Sequence, residues 1–414
     1  MVSEPEHPLS RVWQRLARGE AVVAGVLSGT SADGIDVALL RFGLAGSLAP
    51  LAFETLPFPE PLASELRAVL DGQALGAREV ALLSRDLGSA FGHAALTLAQ
   101  RARLELDLVG SHGQTVWHHD GREPSGAATL QLGDGDFVAH AAGALTASDF
   151  RTADIAAGGE GAPLSGVLDP LLFPALPRPA AILNLGGIAN VTYLAPDTDL
   201  ARDPGPLAFD TGPANALLDG LARTWLGAAF DRDGATAARG RACAPLLGEL
   251  LRHPFFDRRP PKSTGRDTFG AAYVSGVTAR ARALGLEAPD VLATGVALVG
   301  ESVAEALARF LPGRPRVLVL CGGGTFNRSL WDELGRRTGL PIESSAVHGV
   351  PPEAREATFF AHLAVRCVLA RPSTVPSVTG ARRGGVLGKL SLPPKRSSDA
   401  DSLEVPSSQA RARG

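Results

Sequence analysis

Two stretches of this chain have the same build: an apolar run, a tight turn of Gly, Ser, Thr and Asn, and a second apolar run. The first is Ala24–Leu40 (AGVLSGTSADGIDVALL) and the second is Ala181–Leu194 (AILNLGGIANVTYL). Each pattern predicts a β-hairpin. A turn of small residues gathers backbone N–H groups around a point that no bulky side chain crowds. That makes a cradle for an anion, phosphate above all. The two cradles begin 157 residues apart, at Ala24 and Ala181. They imply a duplicated architecture with a nucleotide polyphosphate held between the halves. Neither turn has the spacing of a P-loop or of the dinucleotide-binding glycine fingerprint.

The 414 residues suffice for two domains with sizeable cores. A composition of 45% hydrophobic and 20% charged residues is that of an ordinary globular protein. The net charge of −3 leaves no basic footprint, so nucleic acid and anionic membrane are poor partners. Cys243, Cys321 and Cys367 are dispersed and lack CxxC spacing. That argues against a disulfide framework or a zinc site and points to a reducing, cytoplasmic setting. Residues 1–20 are charged and have no apolar centre, unlike a signal peptide. No apolar run approaches the ~20 residues of a membrane span.

Hydrophobic spacing predicts a third strand at Leu51–Pro57 and helices at Leu62–Leu70 and Val80–Leu104. A short strand at Leu106–Ser111 puts His112 and Gln114 just past its carboxyl end, where open α/β sheets collect ligands. A strand at Ala144–Ser148 leads into Asp149, Phe150 and Arg151. Further helices are predicted at Phe137–Ala142, Ala214–Leu226, Pro245–Leu251, Phe269–Leu284, Pro289–Phe310 and Pro352–Ala370. A buried strand at Arg316–Cys321 runs into Gly322, Gly323 and Gly324. The polar stretch from Lys395 onward predicts disorder. Strands alternating with helices, plus two hairpins, predict an α/β protein with mixed sheets.

Several short segments carry candidate chemistry. The first turn, Gly29, Thr30, Ser31, Ala32, Asp33, Gly34, Ile35 and Asp36, combines hydroxyls with two carboxylates. Phosphoryl transfer needs donors for phosphate oxygens and oxygen ligands for Mg²⁺. A plain polar turn is the rival reading. The second turn offers Asn184, Gly186, Gly187 and Asn190. Asp210 stands just before a helix, as a helix cap or as a general base. Arg151 and Asp154 flank a Gly-rich stretch, as a surface ion pair or as ligands. Lys262 and Arg266 bracket a hydroxyl cluster able to hold an anionic group. Gly322–Gly324 lets a flat ring approach the backbone. His118 and His119 lack the partners of a metal site.

Together, and in this order, the segments resemble the anhydro-N-acetylmuramic acid kinase family. They are GVLSGTSADGID (Gly25–Asp36), GSHGQT (Gly110–Thr115), QLGDG (Gln131–Gly135), DFRTAD (Asp149–Asp154), GGEGAPL (Gly158–Leu164) and NLGGIAN (Asn184–Asn190). FDTGPAN (Phe209–Asn215), PPKSTGR (Pro260–Arg266), CGGG (Cys321–Gly324), EATFFA (Glu356–Ala361) and VTGA (Val378–Ala381) follow. The resemblance implies a two-domain actin-like, hexokinase-type ATPase fold with an interdomain cleft. Residues 21–148 plus 362–394 would form one ATPase domain and 149–361 the other, with 1–20 an extension and 395–414 a tail.

The resemblance also implies an ATP- and Mg²⁺-dependent reaction. A 1,6-anhydro amino sugar from peptidoglycan is opened by water, and its freed 6-oxygen takes the γ-phosphoryl group. Asp210 matches the catalytic aspartate and Glu356 a glutamate beside the sugar. Gly29–Asp36 match the phosphate loop, with Asp33 or Asp36 placing Mg²⁺. ATP contacts extend to Asn184, Gly186, Gly187, Asn190 and Gly322–Gly324. Sugar contacts are expected from His112, Gln114, Arg151, Asp154, Lys262 and Arg266. The family's tendency to dimerise admits a homodimer. Glu160 stands where the family usually has Gln, Ala214 where it has Gly, and GVALVG (Gly295–Gly300) where it commonly reads LTELTA. A conventional sugar kinase and a non-catalytic nucleotide-gated binder are the alternatives.

Overall fold

The computed structural model describes residues 7–394 except 30, 31, 33, 44–47, 71, 121–125, 163 and 199–205. Its strands are β1 (Ala21–Leu27), β2 (Ile35–Phe42), β3 (Leu48–Leu56), β4 (Leu108–Ser111), β5 (Gln114–Asp120), β6 (Ala127–Leu132) and β7 (Leu145–Ser148). There follow β8 (Ala180–Leu185), β9 (Ile188–Leu194), β10 (Leu207–Pro213), β11 (Leu318–Cys321), β12 (Ile342–Ser344) and β13 (Lys389–Ser391). Both hairpins expected from the sequence form, as β1–β2 and β8–β9.

The duplication is a matter of topology. One sheet runs β3-β2-β1-β4-β7, with β13 added at its edge, and the other runs β10-β9-β8-β11-β12. In each, three consecutive strands form an antiparallel meander, and two later strands join the first of them in parallel. The fold class is therefore α/β with mixed sheets, as expected. The polar stretch from Lys395 lies outside the described residues.

Three apolar cores stack through the molecule. The first sheet buries one face under the helices Leu62–Leu70 and Ala77–Arg101. The second buries one face under Asn215–Leu226 and Ala288–Phe310, among others. The remaining faces share a core, in which Val23, Leu108 and Ala147 of one sheet join Ile182 and Val319 of the other. The helix Arg355–Val368 lies in that shared core. The helix Ala288–Phe310 corrects the sequence reading on apolar length. By length and composition it could cross a bilayer, but 72% of its apolar window is buried, as in a core helix.

The Arg355–Val368 helix sits on the first sheet at unusually close range. Gly25 and Gly110 are register partners on β1 and β4, flanked by Ala38 on β2 and Ala147 on β7. This row of small residues is a flat saddle. A Cβ on Gly25 would overlap the Ala357 carbonyl oxygen, and one on Gly110 would overlap that of Phe360. The expected boundary at 361/362 falls within this helix, so residues 355–361 pack on the first sheet with the rest of it. Its first turn is tied down by a buried ion pair. Arg355 donates from Nη2 and Nε to Asp169 Oδ1 at 2.6 and 3.1 Å.

The saddle yields a stability prediction. Gly25→Ala forces backbone apart and should cost about 3 kcal/mol in urea unfolding. Gly276→Ala, at an exposed position of the helix Ala271–Ala283 with nothing within 4 Å of the added Cβ, should stabilise by about 0.5–1 kcal/mol. Equal midpoints for the two variants would refute the close-packing account.

Candidate active site

Strands β1, β4 and β7 run parallel, so their carboxyl ends open on one edge of the first sheet. The loops that leave them are cross-linked. The His112 N–H donates to the Val26 carbonyl at 2.9 Å. Gln114 Nε2 donates to the Gly29 carbonyl at 3.3 Å. After β7 the chain turns at Asp149, whose φ of 54° lies in the left-handed region that Asp tolerates. This brings Arg151 back toward β4, where its Nε donates to His112 Nε2 at 2.9 Å and its Nη1 to the Gly161 carbonyl at 2.8 Å. His112 Nδ1, 3.1 Å from the Gly113 carbonyl, then carries the proton. Burial, reinforced by the Arg151 charge, holds the His112 pKa well below its usual value, so the ring is neutral. Burial also brings Arg151 down to about 10, opposed by Glu356 and Asp154.

The edge of the second sheet is built from β8, β10 and β11, which run in one direction. Cys321, Asn184, Asn190 and Asp210 form one cross-strand row over β11, β8, β9 and β10. A β-bulge between Asp210 and Gly212 breaks the ladder there, a device that re-aims a side chain. The Gly186–Gly187 turn is pinned from behind. Asn215 N–H donates to the Gly186 carbonyl at 3.0 Å, and Asn215 Nδ2 to the Leu185 carbonyl at 2.9 Å. Gly322, with φ of 79°, crosses β8 so closely that a Cβ would stand 2.6 Å from Asn184 Oδ1. Gly186 and Gly187 by contrast have no neighbour within 3.4 Å of an added Cβ, so the turn's outer side is bare backbone.

Asp210 is clasped by the 262–264 loop. Its N–H donates to the Lys262 carbonyl at 3.1 Å, and the Thr264 N–H donates to its Oδ2 at 2.8 Å. Burial pushes its carboxyl up to about 6, against the opposing pull of the Thr264 N–H and the Lys262 charge. A carboxylate with one oxygen fixed and a pKa near neutrality suits general-base work.

Glu356, exposed on the first turn of the saddle helix, relates the two edges. Its charge acts on Arg151 of the first sheet and on Cys321 of the second. Three residues before that helix, the Pro352 carbonyl accepts a bond from the Gly322 N–H at 3.2 Å.

Other expected ligands have different surroundings. Asp154 is fully buried, its Oδ1 taken by the Thr379 hydroxyl and its Oδ2 by the Gly161 N–H, each at 2.8 Å. It braces the Gly-rich loop and is neither a surface ion pair nor open to a sugar. Lys262 is buried with its Nζ over the rings of Phe255 and Phe310. Asp36 Oδ1 accepts from the Thr55 hydroxyl at 2.6 Å. Thr30, Ser31, Asp33 and the Arg266 side chain lie outside the described residues. His118 and His119 lie on β5, their Nδ1 atoms paired with Thr129 Oγ1 and the Gly126 carbonyl. Among the described residues no group of three or more His, Cys, Asp or Glu could hold a metal.

The Asp210 environment has a measurable cost. A folded-state pKa of about 6 lies above the ordinary 3.8, so the cost of ionising the buried carboxyl builds as pH rises from 3.8 and is complete above about 6. Asp210→Asn should therefore raise the thermal midpoint at pH 8, and the gain should vanish below pH 4. A gain that does not depend on pH would contradict the burial account.

Comparisons with known proteins bear on the whole chain. A family model described as anhydro-N-acetylmuramic acid kinase matches residues 21–393. The enzyme of that name from Cyanothece sp. is 41% identical over 376 residues, covering 89% of this chain and 98% of that one. Its counterpart from Xanthomonas campestris pv. campestris is 43% identical over 377 residues, covering 88% and 96%. Among solved structures, the activator of 2-hydroxyisocaproyl-CoA dehydratase from Clostridium difficile is 13% identical with a TM-score of 0.41, covering 84% of this chain and 96% of that one. The chain belongs to the anhydro-N-acetylmuramic acid kinase family of phosphotransferases.

Proposed function

We propose that this kinase opens the 1,6-anhydro ring of anhydro-N-acetylmuramic acid with water and phosphorylates the freed 6-oxygen. The product is N-acetylmuramic acid 6-phosphate, an intermediate of peptidoglycan recycling. The reading rests chiefly on Asp210. It matches the family's catalytic aspartate, sits at a bulge on a ligand-collecting edge, and has one oxygen fixed by the Thr264 N–H.

An ether oxygen is a poor nucleophile, so ring opening and phosphorylation belong in one pocket. Asp210 takes a proton from water as the water oxygen bonds to the anomeric carbon. The bond from that carbon to the 6-oxygen breaks, the freed oxygen bonds to the γ-phosphorus of ATP, and the bond from that phosphorus to the β,γ-bridging oxygen breaks to release ADP. Glu356 and Arg151, which feel each other's charge, face the sugar. Neutral His112 orients Arg151 by accepting from its Nε and adds no positive charge.

The second-sheet turns fit a nucleotide. Backbone N–H groups at Gly186–Gly187 would donate to phosphate oxygens, and Gly322–Gly324 would admit the base side of ATP. The first hairpin, Gly29 to Asp36, completes the phosphate grip from the other sheet. When bound, Mg²⁺–ATP supplies the phosphoryl group and the charge neutralisation for its transfer. Such a cation takes only one or two protein carboxylates, and Asp33 or Asp36 would supply them. Closure of the crevice between the two halves would exclude bulk water and keep the catalytic molecule.

Incubation with ATP, Mg²⁺ and anhydro-N-acetylmuramic acid should give the 6-phosphate by mass. In ¹⁸O-water the label should enter the anomeric oxygen during turnover. A phosphorylated sugar without label would identify a conventional sugar kinase instead. Asp210→Asn should lose nearly all turnover yet still bind ATP, and native kcat should decline as pH falls through about 6. Normal turnover in that variant would sink the assignment.

A further inference from the structure

Lys262 lies beside Asp210 in a setting unsuited to an anionic ligand. The residue is 5% exposed. The Nζ sits 4.7 Å from the Phe255 ring centre and 4.9 Å from that of Phe310, a two-walled aromatic cage. Arg258 also lies over Phe255 at 5.9 Å and Arg309 over Phe310 at 5.2 Å. Arg309 is held there by Asp257 at 3.1 Å. The two rings close two sides of the ammonium. The main chain of the same residue does touch the site, since the Lys262 carbonyl receives the Asp210 N–H and Thr264, two residues on, donates to Asp210 Oδ2.

We propose that Lys262 is a positioning residue for catalysis: its caged ammonium anchors the 262–264 strap that orients Asp210 and places a fixed positive charge beside that carboxylate. This rests on the general-base reading of Asp210. The cage holds the cation by ring electrostatics and keeps it from pairing fully with the base. A full ion pair would drop the Asp210 pKa and weaken it as a base. The charged groups around Lys262 are Asp210, Asp257, Arg258 and Arg309. Burial, helped by the two arginines, brings the lysine down to about 8, while the two aspartates oppose that. Around Asp210, the Lys262 charge and the Thr264 N–H favour the ionised form.

The test compares native enzyme, Lys262→Met, Lys262→Arg and Asp210→Asn, each first shown folded by thermal melting. Methionine keeps an unbranched stem between the rings and removes the charge. It should lower kcat about 10- to 100-fold with the KM for ATP nearly unchanged. The acid limb of its kcat profile should move to higher pH, because the carboxylate loses its cationic neighbour. Lys262→Arg should return that limb toward the native position. A folded Lys262→Met enzyme with native kcat and native limb would overturn the proposal. So would a loss of kcat with the limb unmoved, which is the mark of a purely structural strap. An active Asp210→Asn variant would instead overturn the general-base reading beneath it.

Discussion

The Arg355–Val368 helix rests on backbone, with no side chain between it and β1 or β4 at Gly25 and Gly110. Helix–sheet packing ordinarily keeps a layer of side chains in between. Here the helix carbonyls of Ala357 and Phe360 take the space that a Cβ would need. That contact fixes the height of the helix above the sheet, and with it the position of Glu356 at the helix start. The Arg355–Asp169 pair then ties the first turn from the opposite side. A buried ion pair adds little net stability, but breaking one partner leaves an uncompensated charge. It suits registration better than reinforcement.

From that helix the rest of the site follows by topology. Two five-strand units of the same order each present parallel carboxyl ends. One edge carries His112, Gln114 and Arg151; the other carries Asn184, Asn190, Asp210 and the triglycine turn. Glu356 acts electrostatically on members of both. Each edge keeps its charges under control by burial and local bonding. His112 is neutral, Arg151 is braced by His112 and Gly161, and Asp210 has one oxygen fixed. These are features of preorganisation, in which groups need little rearrangement at the moment of reaction.

Glycine serves two ends in the chain. At Gly25 and Gly110 it permits close packing between layers. At Gly186–Gly187 it leaves backbone bare toward the outside. Both arise because glycine lacks a Cβ, yet one stabilises the fold and the other offers a surface. The aromatic cage is a comparable economy. Phe255 and Phe310 belong to the second sheet's core and also hold Lys262 beside Asp210.

The sequence by itself determined the hairpins, the α/β class and the small-residue turns, because these depend on local patterns of apolar period and small residues. Its ordered motifs also identified the family. It left β5–β6 unseen, since much of that hairpin is solvated, with Trp117 and Leu130 exposed. Only the tertiary structure decided the roles of charged residues. Asp154 read as a surface or ligand charge, but Thr379, 225 residues away, and Gly161 consume both its oxygens. Lys262 read as an anion site, but Phe255 and Phe310 enclose it. Thr264 carried no local sign of its bond to Asp210, 54 residues earlier. A side chain's charge is written in its residue type, whereas its partner, its burial and hence its pKa depend on which distant segments the sheets and the saddle helix bring against it.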